Sequence, residues 1–334
     1  MTNERQPSLE QRDLSWSLDD TTVDATVQFA REGVDATGAG VVFIGGSGPT
    51  DRDWNTPLLP GTNGSARLLA EVLAQEGITS IRYDKRAAGV RARENMPRLV
   101  GKVSMQSHLD ELAGAVRALA AQPGVRRDRL FAVANSEGTL HALHYQLQRP
   151  ELSLAGLVLI APPGRSVGAV ARAQIAAQLA PVPGGEAILA MYDAAIARFL
   201  ASEPVAPDPA LPPGIAGLVQ GLASPANLPF SRELWLADSA PLLRDVNVPV
   251  LVVIGEKDVQ VDVRADGGPL QLAAAGREQV TFAFPPDANH VLKHETRPRA
   301  ELTAESAFSY NAADAVLDPE GVATIVAWLR RHVA

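Results

Sequence analysis

A serine does covalent chemistry only where a neighbour takes its proton and other groups receive the charge that forms, so few positions in the chain qualify. The most informative run is Ala134-Asn135-Ser136-Glu137-Gly138, at the point where the apolar stretch RLFAVANS gives way to a helical pattern. A serine held on a sharp strand-to-helix turn needs small neighbours that let the backbone pass closely. Gly138 meets that need and Ala134 nearly does. The helix that follows aims its N-terminal amides at Ser136, so the Glu137 N–H can meet an oxyanion forming on a substrate. Read blandly, Ser136 is an ordinary helix N-cap. Its position directly after a buried strand weighs against that.

A second constellation, Gly45-Gly46-Ser47-Gly48-Pro49, follows the short apolar run GVVFIG. It can be a plain tight turn. It also precedes Ser136 by two strand-helix units, which is where a sheet of this kind draws a second oxyanion donor. The Ser47 N–H is the candidate, with Gly46 and Gly48 supplying backbone freedom. A phosphate-cradling loop would end Gly-Lys-Ser/Thr, whereas this one runs on as Pro49-Thr50-Asp51.

Activating Ser136 requires a histidine on a loop after a late strand, and six histidines are present. His108, His141 and His144 fall on predicted helices and His332 in a terminal helix, so these four read as structural or solvated. His290, in Asp287-Ala288-Asn289-His290 after the strand QVTFAFPPD, suits a base reaching over the strand ends, with His294 as the fallback. The orienting acid should follow the preceding strand, and VPVLVVIGEKD delivers Asp258 about 30 residues before His290. Asp262 is the second choice, and Glu256 should point away. The chain order Ser, Asp, His is then complete.

The elements that must position these residues alternate. After edge strands from about Thr22, strand and helix patterns follow one another through ITSIRYD, SHLDELAGAVRALAAQ, RLFAVANS and LAGLVLIAPPG, and they resume at VPVLVVIGEKD, QVTFAFPPD and the terminal EGVATIVAWLRRHV. Such alternation predicts a mostly parallel central sheet covered by helices on both faces. Between about 166 and 240 the pattern is helical only, which predicts a cap on top of the sheet. The expected organisation is a polar N-terminal segment at 1–21, a core at 22–165 and 241–334, and a helical cap insertion at 166–240. The irregular stretch from about Lys293 to Asp318 is too long for an ordinary connection and reads as functional or mobile.

Composition narrows the chemistry further. The 334-residue chain is 46% apolar and carries a formal charge of −8 without basic runs, which argues against nucleic acid as a partner. Without cysteine there is no disulfide framework, thiolate metal site or cysteine nucleophile. The polar start MTNERQPSLEQRDLSW carries no apolar core of the kind a secretory signal or membrane anchor would need, and no apolar run nears the roughly 20 residues a membrane helix needs. A cytoplasmic protein that needs no cofactor or metal and does not engage a membrane is expected; the oligomeric state stays open, a homodimer included.

Taken together, these motifs resemble the α/β-hydrolases, in particular the serine aminopeptidase S33-like and acyl-ester hydrolase group. The residues that carry the likeness are Gly46-Ser47-Gly48-Pro49-Thr50-Asp51-Arg52-Asp53, Tyr83-Asp84-Lys85-Arg86 and Ser136-Glu137-Gly138, and it extends over nearly the whole chain from about residue 22. The chain departs from the group's pattern at Gly45, where a histidine is usual, and at Ala87 and Ala134, where glycines are usual. The resemblance implies an α/β-hydrolase fold with a cap. It also implies a serine hydrolase using Ser136, Asp258 and His290, with an oxyanion hole at Ser47 and Glu137. Arg52 and Asp53, with Asp84, Lys85 and Arg86, read as an ion-pair network bracing the oxyanion loop, or alternatively as a site for a substrate carboxylate.

The expected substrate is a small carboxylic ester, short-chain or aryl, with an apolar portion held by the Ala-, Leu- and Val-rich insertion. An aminopeptidase would need an acidic group there for the substrate's ammonium, and Glu186, Asp193 and Glu203 are available. A thioesterase or acyltransferase would use the same triad. A ligand receptor on this fold would be expected to lack a member of it.

Overall fold

The computed structural model describes residues 10–206 and 208–333. Its sheet has eight strands in the order β1-β2-β4-β3-β5-β6-β7-β8. Gln11–Leu18 (β1) and Thr21–Gln28 (β2) pair antiparallel and lead into Gly40–Ile44 (β3). Ser65–Gln75 (α1), Thr79–Tyr83 (β4), Ala92–Leu99 (α2), Met105–Ala120 (α3), Leu130–Asn135 (β5), Glu137–Leu147 (α4) and Gly156–Ile160 (β6) follow. β2 runs antiparallel to β4, and every pairing from β4 to β6 is parallel. Val41, Val42, Phe43, Phe131, Val133, Leu157 and Leu159 are buried on both faces of this parallel section, which explains why these strands read as unbroken apolar runs.

The strand order reverses direction between β3 and β5, because β4 lies to one side of β3 while β5 to β8 extend to the other. Loops leaving the C-terminal ends of strands at such a switch point splay apart and open a crevice. The Gly45–Pro49 turn after β3 and Ser136 after β5 flank it.

After β6 come four helices, Val167–Leu179 (α5), Gly185–Leu200 (α6), Pro213–Ala223 (α7) and Phe230–Leu236 (α8). They bury Ile175, Leu179, Tyr192, Phe199, Val219 and Trp235 in a core of their own. The Val167 N–H donates to the Ala237 carbonyl at 3.0 Å, so the two ends of the insertion close on each other. Gly168 lets this neck pack tightly, since a Cβ there would sit 2.5 Å from the Trp235 indole nitrogen. Ser239–Asp245 (α9) returns to the main core through Ala240 and Leu243, ahead of Val250–Val253 (β7), Gly267–Ala273 (α10), Val280–Ala283 (β8) and Pro319–Val333 (α11). β7 pairs parallel with β6 and β8 with β7.

The start of the chain corrects the sequence expectation. Residues 1–9 lie outside the described residues, but Gln11–Leu18, expected within a polar segment at 1–21, is a sheet strand in register with β2, Trp16 opposite Val23. Leu14, Trp16 and Leu18 alternate with Asp13, Ser15 and Ser17, so one face covers the core while the other meets solvent. The 166–240 boundary also shifts, because residue 240 falls inside α9, a helix of the main core. The 293–318 stretch is pinned down: the Lys293 side chain, 1% exposed, donates to the carbonyls of Asn63 (2.8 Å) and Ala315 (3.1 Å), and Asn63 in turn donates to Ala315 at 2.7 Å. Among the described residues no helix is long and apolar enough to cross a membrane.

Candidate active site

Ser136 has φ 53° and ψ −121°, a left-handed conformation that non-glycine residues rarely adopt. The turn is held from both sides. The Ser136 N–H donates to the Ile160 carbonyl at 2.9 Å, and its own carbonyl accepts from the Thr139 hydroxyl at 2.6 Å and the Thr139 N–H at 3.0 Å. Gly138 is required by close approach: a Cβ there would lie 2.5 Å from the Ile44 carbonyl oxygen and 2.7 Å from that of Gly45. The elbow and the β3 loop are thus in backbone contact, and Ser136 is left half-buried at the mouth of the crevice.

Asp258 and His290 arrive from the loops after β7 and β8. His290 Nδ1 and Asp258 Oδ2 are 2.8 Å apart, and both residues are buried. The other oxygen of Asp258 accepts from the Gln260 N–H (2.7 Å) and the Val261 N–H (3.0 Å), so the carboxylate is fixed by its own turn before it meets the imidazole. Gly255 makes the approach of the two loops possible, since a Cβ there would overlap the Ala288 carbonyl oxygen at 2.0 Å. Asn135 secures the far side by donating its amide to the His290 carbonyl at 2.9 Å. With Nδ1–H directed at the carboxylate, the second ring nitrogen is the basic one.

Ser47, Ser136, Glu137 and His290 line one pocket with Pro163, Val261, Gln174 and Gln260 and with Val167, Val170 and Ala171 of α5, enclosing a cavity of about 150 Å³. The alternative residues lie elsewhere. His294 pairs with Asp318 at 3.1 Å, Asp262 is exposed and caps the Arg264 and Ala265 amides, and Glu256 is exposed.

The Gly46-Ser47-Gly48 turn touches the serine directly: a Cβ on Gly46 would lie 3.3 Å from the Ser136 Cβ and 3.1 Å from the Asn135 amide oxygen. Gly48 takes φ 79°, which suits glycine. Gly45 faces filled space, since a Cβ there would meet Thr50 Cγ2 at 3.2 Å and the Trp54 ring at 3.3 Å. Trp54 is buried edge-on against Phe43, so the tryptophan occupies volume beside this turn.

Arg52 and Asp53 lie away from this pocket. Arg52 donates to the carboxylate of Asp84 through Nη2 (2.8 Å) and its backbone N–H (2.7 Å), and Asp53 pairs with the buried Arg82. They border a cavity of about 650 Å³ at the antiparallel side of the sheet. The three guanidiniums that line it are paired, Arg52 with Asp84, Arg82 with Asp53 and Arg67 with Glu71, so among the described residues it offers no unpaired one to hold a substrate carboxylate. Ser136 and His290 lie in the smaller, more apolar pocket.

Under the elbow lies a buried charge network whose pairing the sequence pattern does not reveal. Lys85 Nζ is 2.6 Å from Glu137 Oε1, His141 Nε2 is 3.1 Å from the same oxygen, His108 pairs with Glu111 at 3.1 Å, and Arg86 Nε donates to Glu111 at 2.9 Å. Burial alone would raise the Glu137 carboxyl, but the Lys85 ammonium and then His141 hold it well below the usual carboxylate range. Burial pushes His141 down to about 4 despite its bond to Glu137, so its ring is neutral near pH 7. His108 and His141 also pack against Phe230 of α8, with ring centres 4.4 and 5.9 Å away, joining the insertion to this network.

The family model described as alpha/beta hydrolase family matches residues 41–305. No curated protein matches the sequence. Among solved structures, the esterase Pf2001 of Pyrococcus furiosus aligns over 98% of this chain and 92% of its own, with 16% identity and a TM-score of 0.58. The α/β hydrolase GrgF of Penicillium sp. sh18 aligns over 97% and 99%, with 16% identity and a TM-score of 0.55. The thioesterase domain from the curacin biosynthetic pathway aligns over 96% and 99%, with 14% identity and a TM-score of 0.53. At such identities the likeness is one of fold.

Proposed function

The chain belongs to the alpha/beta hydrolase family, and on that premise we propose that it is a serine hydrolase cleaving short-chain carboxylic esters through an acyl-enzyme. His290 takes the Ser136 proton as the hydroxyl oxygen attacks the ester carbonyl carbon, and the electron pair moves to the carbonyl oxygen. The N–H groups of Ser47 and Glu137 receive that oxyanion, and Asp258 holds the imidazole in the required tautomer and offsets the charge of the imidazolium. Collapse of the intermediate breaks the bond to the alkoxy oxygen, which takes the proton from His290 and leaves as the alcohol. Water, deprotonated by His290, then repeats the attack on the acyl-enzyme and releases the acid.

The observation that carries the reading is the hydrogen bond between Asp258 and His290, a residue that lines one pocket with a serine on a left-handed strand-to-helix turn. The small cavity and its Val167, Val170 and Ala171 wall support a short apolar acyl group. An aminopeptidase is less well supported. Glu186 lies at a separate cavity, Asp193 is paired with Arg172 at 2.7 Å, and Glu203 faces Arg198 on the surface. Among the described residues, the one carboxylate lining the Ser136 pocket, Glu137, is paired with Lys85.

The test is fluorophosphonate labelling and turnover of p-nitrophenyl acetate, butyrate and octanoate by the wild type and Ser136→Ala. The wild type is expected to label and to prefer the shorter esters, with both activities lost in the variant. Faster cleavage of aminoacyl arylamides than of matched aryl esters would replace this reading with the peptidase.

A further inference from the structure

Lys85 sits beneath both halves of the oxyanion hole. Its Nζ donates to the Gly46 carbonyl at 2.6 Å, to the Gly48 carbonyl at 3.4 Å and to Glu137 Oε1 at 2.6 Å, and the residue is buried. The carbonyl between those two, that of Ser47, accepts from the Thr50 hydroxyl at 2.8 Å, and the Thr50 N–H also donates to Gly48 at 2.8 Å. All three carbonyls of the turn are therefore held.

This fixes the donors. A trans peptide unit is planar and points its C=O and N–H in opposite directions. An ammonium seated on the Gly46 oxygen therefore sets the direction of the Ser47 N–H in the same peptide unit, away from Lys85. It also draws electron density toward that oxygen, which makes the N–H a stronger donor. Through Glu137, the same ammonium grips the first residue of α4, whose backbone N–H is the other donor and has no carbonyl one turn earlier to bond.

Resting on the reading of Ser136 as nucleophile, we infer that Lys85 is a positioning residue for the oxyanion hole. It joins the Gly46–Gly48 turn to Glu137, so that two N–H groups from separate loops converge on one point. It touches no reacting atom. Its effect is greatest in the transition state, when a full negative charge occupies that point, and small on ground-state binding.

The experiment compares the wild type with Lys85→Met and with the double variant Lys85→Met, Glu137→Gln. The double variant leaves no buried charge at the pair, and so separates positioning from misfolding. In a folded double variant, kcat for p-nitrophenyl acetate is expected to fall about 100-fold, the scale of one lost oxyanion donor, with KM changed less than about 3-fold. Affinity for a trifluoromethyl ketone, which adds the serine oxygen and places an oxyanion in the hole, should fall by the same factor. Hydrogen exchange across residues 45–50 should quicken while the central strands stay protected.

Wild-type kcat and wild-type loop exchange in the double variant would overturn the inference. So would a loss of activity that only follows the loss of folded protein, with the ketone affinity of the folded fraction unchanged. If the wild type turns over no ester and takes no fluorophosphonate, the proposed function fails instead. Loop exchange still decides whether Lys85 holds the turn.

Discussion

Replacing Asp258 by asparagine tests the proposed mechanism at its most constrained point. One oxygen of the carboxylate meets His290 Nδ1 at 2.8 Å, and the other accepts two backbone N–H groups, from Gln260 at 2.7 Å and Val261 at 3.0 Å. A carboxamide has a single acceptor oxygen. If its NH₂ faced the turn, a donor would oppose two donors, so the oxygen must stay with the backbone and the NH₂ must face His290. Nδ1 then has to accept, which moves the ring proton to the other nitrogen and leaves no base for the Ser136 hydroxyl. A wrong tautomer of this kind costs on the order of 10⁴-fold in kcat, or about 5 kcal/mol of transition-state stabilisation. The fold should barely notice, because the two turn bonds survive. A loss of about 1 kcal/mol, a few degrees in Tm, is expected from weakening one charge-assisted hydrogen bond. Initial rates with p-nitrophenyl acetate and a thermal melt on the same preparation measure both quantities. A variant within about tenfold of the wild type would refute the tautomer argument, and loss of turnover in Asp262→Asn would move the role to that residue.

Two further outcomes follow from the pocket and the buried network. Ala171→Leu projects three more carbon atoms into the roughly 150 Å³ cavity, and kcat/KM for the butyrate ester should fall at least about 10-fold relative to the acetate ester. An equal fall for both esters would mean that α5 does not bound the acyl group. Acid should destabilise the protein well before the carboxylates titrate. His141 is pushed down to about 4 in the fold, whereas the unfolded chain takes up that proton near 6.5. Between those values the unfolded state binds more protons, so stability falls as pH drops, by up to roughly 3 kcal/mol from this residue. Glu137, whose folded carboxyl is also depressed, adds to the loss below its unfolded value of about 4.3. Urea midpoints at pH 7.5, 5.5 and 4.5 should decline in the wild type, and less steeply in His141→Gln. A flat wild-type profile would show that the ring is not kept neutral.

The parts of this protein that can be read from sequence are those where one local rule governs. The helix α4 begins one residue past Ser136 because a run of buried residues, Leu130–Asn135, ends there, and Gly138 follows because the elbow must touch Ile44 and Gly45. His290 and Asp258 could be chosen from among the histidines and aspartates because each follows a strand whose C-terminal end faces the crevice. What could not be read is held by partners far apart in the chain. Lys85 and Glu137 are 52 positions apart, and although Lys85 reads as part of an ion-pair network bracing the oxyanion loop, no sequence rule pairs it with Glu137. His108 and His141 sit at helical spacings that fit an exposed face as well as a buried one, and only the angle at which α3 meets α4 places them beside Glu111 and Glu137. Hydropathy puts such residues outside, because an isolated ion does not survive burial. Here Lys85 and Arg86 follow directly from β4 into the space beneath the elbow, where Glu137 and Glu111 arrive from α4 and α3 to neutralise them. Breaking the pair on one side only would leave a buried charge without a partner, which is why neutralising both members is the informative change.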